Sequence, residues 1–307
     1  MINYILPIFL ATLVGYLTQR TGLCMVRGVH ELLAKRPAFL ITILCCGFWY
    51  WLVTPFSTDQ LLDLSIDRYQ ISFHFIIGGF MFGFGAAVNK GCSISTISKL
   101  AKGHYHMLLT VMGWLIGWFA LTSMSLNLEY NKIQATTSPS LLHLALLLIV
   151  GFILFYRVNS EKRPLLLGII FFGITASILT YLVPNWSPSQ LLKDISAATL
   201  HMQEGKWPSI QRFLIITGLI VGMAAGAKKR LSIAQFEFRI NQLMTHFIAG
   251  IIMGVGASLA LGGNDSQLLI ALPAISPAGA IAVLFIVLGI ASGMMLRKWL
   301  NREIPSK

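Results

Sequence analysis

Nine apolar stretches of about bilayer-crossing length dominate the chain, near 2–19, 38–56, 71–88, 107–126, 140–156, 164–183, 210–227, 243–261 and 277–296. A spanning helix needs about 20 mainly apolar residues, and only a helix or a closed barrel satisfies its own backbone in lipid. Composition agrees, since 56% of the 307 residues are apolar and 11% charged, against about 25% charged in soluble domains. The expected fold is an all-α polytopic membrane protein of about nine transmembrane helices, and a soluble enzyme is argued against. The segment MINYILPIFLATLVGYLTQR has no basic residue ahead of its apolar run and no small-residue cleavage site near its end. It reads as a retained span, not a removed signal peptide.

The formal charge of +12 would suggest a nucleic-acid partner in a soluble protein, but in a membrane protein it reports topology. With the N-terminus outside, nine spans place 18 of the basic residues in cytoplasmic segments, from Arg20, Arg27, Lys35 and Arg36 onward to Arg297, Lys298, Arg302 and Lys307. The other side holds 5, namely Arg68, Lys132, Lys193, Lys206 and Arg212. Acids lean the other way, with Asp59, Asp63, Asp67, Glu129, Asp194, Glu204 and Asp265 outside, giving +14 inside and −2 outside. The bilayer is the expected partner, with the N-terminus outside, the C-terminus cytoplasmic and no nucleic acid bound.

Three segments break the apolar pattern. Cys24 to Arg36 mixes charge with Leu and Val, as an interfacial amphipathic helix does. KGCSISTISKL after the third stretch and GGNDSQLLIALPAISP between the last two read as broken or re-entrant elements. GFGAAVNKGCS (83–93) and GVGASLALGGN (254–264) align without gaps at an offset of 171. Opposite directions of the third and eighth spans make the two copies an inverted repeat, the architecture of transporters with substrate near the midplane at interrupted helices. The whole chain, 1–307, is expected to form one membrane domain, with 1–126 as the first repeat half, 127–209 as connecting spans and loops, and 210–307 as the second, inverted half.

Candidate chemistry clusters at these breaks. In Asn89-Lys90-Gly91-Cys92-Ser93 a thiol opens a short helix, beside free backbone N–H groups and the positive end of a dipole. Thr21-Gly22-Leu23-Cys24 ends the first span in the same way. Two such thiols suit a route for soft, sulfur-bearing anions better than a metal site, since no Cys-x-x-Cys and no Cys/His pair at ligand spacing occurs. The four cysteines are expected to be reduced thiols, with adjacent Cys45 and Cys46 as packing residues. His104 and His106 are two apart and would not share a helix face, so an interfacial anchor is expected there. His74 and His246 either line the route or hydrogen-bond between helices. Asp265 is functional if it lies at membrane depth and merely solvated at the interface. Gly218/Gly222/Gly226, Gly113/Gly117 and Gly289/Gly293 are spaced by four, for close helix packing. No GxxxxGK[ST], HExxH or GxSxG motif is present, which argues against P-loop ATP hydrolysis and weakens a protease or hydrolase reading.

Gly15-Tyr-Leu-Thr-Gln-Arg-Thr-Gly-Leu-Cys24 with Arg27-Gly28, together with Gly83-Phe-Gly85-Ala and Lys90-Gly91-Cys92-Ser93, resembles the YeeE/YedE sulfur-transport family over nearly the whole chain. The resemblance implies a bacterial inner-membrane protein that takes up thiosulfate or a related small sulfur-containing anion. It also implies a relay of S–H hydrogen bonds through Cys24 and Cys92, with no covalent step and no cofactor. The family's third Cys is replaced here by Gly263, within Leu261-Gly262-Gly263-Asn264-Asp265, where the Asn264 amide or backbone N–H groups stand as donors. The substrate-binding set expected is therefore Cys24, Lys90, Gly91, Cys92, Ser93, Gly262, Gly263 and Asn264. Two alternatives are a membrane-embedded sulfurtransferase that forms a persulfide on Cys92 for a cytoplasmic sulfur-carrier protein, and a non-transporting membrane subunit.

Overall fold

A computed structural model of the protein describes residues 2–53, 68–124, 129–133, 141–200, 207–227 and 240–303. Its helices, in chain order, are α1 (Ile2–Thr21), α2 (Met25–Leu33), α3 (Ala38–Cys45), α4 (Tyr50–Val53), α5 (Phe73–Val88), α6 (Ser93–Ala101) and α7 (Met107–Ser123). They continue with α8 (Leu141–Arg157), α9 (Arg163–Leu182), α10 (Pro188–Thr199), α11 (Ile210–Gly226), α12 (Ile240–Leu259), α13 (Asn264–Ser266) and α14 (Pro277–Glu303). A two-residue antiparallel ribbon pairs β1 (Arg68–Tyr69) with β2 (Lys132–Ile133), Arg68 opposite Ile133. The charged residues Asp59, Asp63, Asp67, Glu204, Lys206, Lys228, Lys229, Arg230, Glu237, Arg239 and Lys307, which enter the charge count, lie outside the described residues, as do 54–56, 125–126 and 140 at the ends of three expected spans.

The chain is an all-α membrane protein. Among the described residues, four helical stretches are long and apolar enough to cross a bilayer: Phe73–Ala101, Ser160–Leu182, Ile240–Leu259 and Pro277–Trp299. Shorter apolar helices run over Ala38–Val53, Met107–Ser123, His143–Arg157 and Ile210–Gly226, so nine crossings do not follow from helix length. The stretch at 38–56 is not one regular helix, because a 3-10 turn at Cys46–Trp49 separates α3 from α4.

Helices pack in pairs through glycine faces. In lipid no hydrophobic drive pulls helices together, so association depends on backbones approaching closely. A methyl group at Gly222 would overlap the carbonyl oxygen of Thr12 in α1, and one at Gly226 would press on the Tyr16 carbonyl. Gly113 and Gly117 of α7 meet the carbonyls of Phe247 and Ile251 in α12, and Gly289 of α14 meets that of Phe80 in α5. The glycines spaced by four thus seat α11 on α1, α7 on α12 and α14 on α5.

The repeated sequence is repeated in backbone geometry. Lys90 and Leu261, 171 positions apart, both adopt left-handed φ, 59° and 57°, a conformation that non-glycine residues rarely take. Gly91 N–H donates to Ala86 C=O at 2.9 Å, and Gly262 N–H to Ala257 C=O at 2.7 Å. Cys92 caps α6 at φ −78°, ψ −177°, and Gly263 caps α13 at φ −79°, ψ −172°. Beyond the cap the copies diverge, since α6 stays α-helical for nine residues while α13 runs into a π-helix at Gln267–Ala271. A second correspondence has no counterpart in sequence: α1, a break and α2 precede α3 just as α9, a break and α10 precede α11. Cys24 caps α2, and Ser187 caps α10.

Candidate functional site

Each expected thiol sits where a helix starts after a break. Gly22 at φ +61° ends α1, and Arg27 Nη1 donates to the Thr21 carbonyl at 3.2 Å, tying the break shut. This leaves Cys24 at the start of α2, facing α6. The Cys24 thiol donates to Ser95 Oγ at 3.2 Å. The Ser95 hydroxyl lies 3.5 Å from Cys92 Sγ and donates to the Cys92 carbonyl at 3.2 Å. Two thiols 68 positions apart in sequence therefore converge on one hydroxyl.

The two copies of the repeat touch at their equivalent residues. The Ser93 hydroxyl donates to Asn264 Oδ1 at 2.6 Å, and the Ser93 N–H points to the same oxygen at 3.3 Å. Ser93 and Asn264 occupy equivalent positions in the repeat, so the N-termini of α6 and α13 meet. Asp265, fully buried, accepts from Ser93 Oγ at 3.2 Å and from the Ser189 N–H at 2.9 Å. The Ser189 hydroxyl donates to it as well. The Cys24–Ser95 contact also has a counterpart across the repeat, since Ser187 Oγ lies 3.1 Å from Ser266 Oγ.

Three cavities follow one another past these residues. A small one of about 10 Å³ is lined by Cys24, Cys46, Cys92, Ile94, Asn264 and Asp265, about the size of one water molecule. Cys24 also faces a cavity of about 770 Å³ rimmed by Arg27, Lys90, Lys99, Lys102, Arg297 and Lys298. At the opposite ends of α5 and α14 a polar cavity of about 190 Å³ is lined by Gln190, Lys193, Asp194, Ser266 and Gln267. The small cavity, or neck, shares Leu23 and Cys24 with the basic vestibule, while its Asp265 and Leu268 flank in sequence the Ser266 and Gln267 that line the polar vestibule. Gln267 Nε2 donates to Ala260 C=O at 2.6 Å, leaving its buried Oε1 without a hydrogen-bond partner.

The expected site residues divide by place. Cys24, Cys92 and Asn264 line the neck, and Ser93 bonds to Asn264 beside it. Lys90 lies on the rim of the basic cavity, its carbonyl held by Lys99 Nζ at 2.6 Å. Gly91, Gly262 and Gly263 shape the breaks. A side chain at Gly91 would meet Ser95 Oγ at 3.0 Å, and one at Gly262 would meet Ser266 Cβ at 2.6 Å. Sequence reasoning missed Ser95, Ser187, Ser189 and Ser266, since serines carry no pattern of their own. Cys46 is buried in the main hydrophobic cluster, the packing position expected of it, and that position also borders the neck.

His74, His104, His106 and His246 line neither vestibule nor the neck, whereas His30 of α2 is part of the lining of the basic vestibule. His74 at the start of α5 is 3.3 Å from Ser72 Oγ, far along the helix from the break at Lys90. His246 Nδ1 lies 2.8 Å from Asn89 Oδ1. Asn89 Nδ2 donates to the Gly91 carbonyl at 2.9 Å and to Thr96 Oγ1 at 2.8 Å, so Oδ1 is the accepting atom and Nδ1 of His246 carries the proton. Thr110 donates to the same Oδ1 at 2.8 Å. His106 packs on His246 with ring centroids 4.6 Å apart. His104 and His106 lie 5.6 Å apart because that segment is a turn and not a helix. Burial, with Lys99 and Lys102 close by, holds the His104 imidazole below its usual range. Among the described residues no group of three His, Cys, Asp or Glu could hold a metal ion.

Asn89 thus fixes the α5–α6 break that presents Cys92. Asn89→Ala strands a carbonyl, the Thr110 hydroxyl and an imidazole in the interior, the Thr96 hydroxyl keeping its bond to the Cys92 carbonyl, at about 1–3 kcal/mol for each buried group left unpaired. We expect a loss of roughly 3 kcal/mol or more, read as a lower midpoint of thermal unfolding in detergent; an unchanged midpoint would show that Asn89 does not hold the break.

A bundle of apolar helices, broken at equivalent points around a small, mostly apolar neck with a basic cavity on one side and a polar one on the other, is the architecture expected of a membrane transport protein. The family model described as sulphur transport, that of the YeeE/YedE proteins, matches the chain twice, at residues 20–163 and 140–292, and the chain belongs to that family. No curated protein matches it in sequence.

Proposed function

We propose that the protein carries thiosulfate, or a related small sulfur-containing anion, from the polar vestibule through the neck to the basic vestibule and the cytoplasm. The observation that supports this reading is the Ser95 hydroxyl, which lies within hydrogen-bonding distance of both the Cys24 and the Cys92 thiol beside the neck. A thiol is a weak donor matched to a soft sulfur acceptor, and it hands an anion on without holding it, as conduction requires. The basic rim attracts the anion inward, in keeping with a cytoplasmic side for that vestibule and for the C-terminal end of α14. A cytoplasmic sulfur-carrier protein would receive its cargo there. Two inverted halves meeting at Ser93 and Asn264 belong to the same proposal. It extends the second half back to α9 and α10, which sequence alone assigns to the connecting region.

At the position of the family's missing third thiol, a Cβ on Gly263 would lie 2.8 Å from Ser189 Oγ and 2.9 Å from an Asp265 oxygen. Hydroxyl and carboxylate fill that space instead. Gly263→Cys is expected to cost about 1–3 kcal/mol through overpacking, measured by thermal unfolding; an unaltered midpoint would show that Ser189 moves aside freely.

The deciding experiment is uptake of labelled thiosulfate by proteoliposomes, with growth on thiosulfate of a bacterium that lacks its own uptake system. Protein-dependent uptake and restored growth are expected. Uptake no faster than in empty vesicles, for thiosulfate and for other small sulfur anions, overturns the proposal.

A further inference from the structure

The relay leaves unexplained a carboxylate at the narrowest point of an anion path. Asp265 is fully buried and lines the neck with Cys24 and Cys92. No lysine, arginine or histidine lines that cavity. The carboxylate is held by hydroxyl and backbone donors, from Ser93, the Ser189 N–H and the Ser189 hydroxyl. The first copy of the repeat has no acid at the equivalent position, where Ile94, 171 positions earlier, lines the same neck. Ionisable groups at membrane depth mark ion pathways and proton relays.

We propose that Asp265 is a proton-binding site that couples proton movement to anion movement; this rests on the transport function proposed above. An anion in the neck repels the Asp265 carboxylate and draws the Ser93 hydroxyl, one of its donors, toward itself. The carboxylate then takes a proton from water in the polar vestibule, where its neighbour Ser266 is part of the lining. The resulting acid is neutral and donates a hydrogen bond, so it tolerates the passing anion. Once the anion has left past Cys24, the serine donors return, the carboxyl ionises and its proton leaves toward the basic vestibule. Proton and anion binding favour one another by linkage, and that preference is reciprocal.

The bound species is a proton and not a metal ion, because the oxygens bond directly to one another. Ser93 Oγ and Asn264 Oδ1 are 2.6 Å apart, and the Ser189 hydroxyl touches the carboxylate. The other titratable groups facing the neck are thiols: Cys92 at the start of α6, Cys24 before α2 and Cys46 after α3. On α10, Lys193 and Asp194 open on the polar vestibule, and Lys99 of α6 opens on the basic one.

The test is thiosulfate uptake by proteoliposomes with the side of the polar vestibule one pH unit more acidic than the other. Wild type is expected to accumulate thiosulfate several-fold above equilibration, and a protonophore to abolish that accumulation. Asp265→Asn, which keeps a neutral side chain, is expected to exchange thiosulfate down its gradient without response to pH. Where this variant does not fold, a pH-sensitive dye trapped in wild-type vesicles must record acidification as thiosulfate enters. Wild-type uptake that ignores the proton gradient, uptake driven instead by a sodium gradient at equal pH, or acid stimulation retained in Asp265→Asn overturns the coupling and leaves transport standing. No uptake by wild type under any gradient overturns transport and the coupling with it.

Discussion

Cys92→Ala is expected to lower thiosulfate uptake by roughly ten- to hundredfold, because a hydrogen bond to a charged group is worth about 1.5–3 kcal/mol and the neck offers few other donors. Cys24→Ala should match it, since each thiol reaches the same Ser95 hydroxyl and the relay fails at either link. Cys92→Ser keeps a donor of a harder kind and should fall between alanine and wild type. Cys45→Ala is the control. Cys45 lies beside Trp49, Leu147 and Phe155 in another cavity, and uptake should stay within about twofold of wild type if the relay alone decides the rate. Equal initial rates in proteoliposomes for Cys92→Ala and wild type would remove the thiol relay altogether.

The second large effect is on assembly. Gly222→Ala places a methyl group on the Thr12 carbonyl, a backbone atom that cannot swing away as a side chain can. The seam between α1 and α11 must open along its length, and the cost is about 3 kcal/mol, the upper end of overpacking. Gly151→Ala in α8 meets no atom within 4 Å, and the helix gains about 1 kcal/mol of propensity from losing a glycine. Thermal unfolding of the two variants in detergent should therefore move in opposite directions. A Gly222→Ala protein as stable as wild type would mean that the α1–α11 seam is loose enough to yield.

Where sequence was informative, the backbone itself was written in residues. The run Lys90-Gly91-Cys92 and the run Leu261-Gly262-Gly263 share a left-handed residue and a glycine because both chains must turn sharply and open a helix. The breaks before Cys24 and Ser187 were not legible as a pair. The first is made by left-handed Gly22, the second by a turn at Pro184 and Asn185 followed by Pro188 in the first helical turn. Different chemistry makes the same bend, so no alignment of letters exposes it. Depth was likewise hidden. Whether Asp265 is solvated or buried depends on α10 packing over it, and helix-to-helix contacts leave no periodic trace in an apolar chain. The match of both chain halves to the sulphur transport family fixes the class of cargo, while these packing details decide how it would pass.

The glycine seams also carry a timetable. Gly79 and Gly83 of α5 are shaped for the backbone of α14 at Ala282 and Ile286, and Gly113 and Gly117 of α7 for α12. Every one of these partners leaves the ribosome long after the groove it fills. Until then the early helices sit in lipid with open, backbone-deep slots that any matching helix can enter, including α12 or α14 from a second, completed copy. A chain cut short before residue 240 keeps the slots and lacks the pieces that close them. Such a fragment should capture α12 or α14 from intact chains, so truncated products would act as poisons of the full-length protein and not as inert debris.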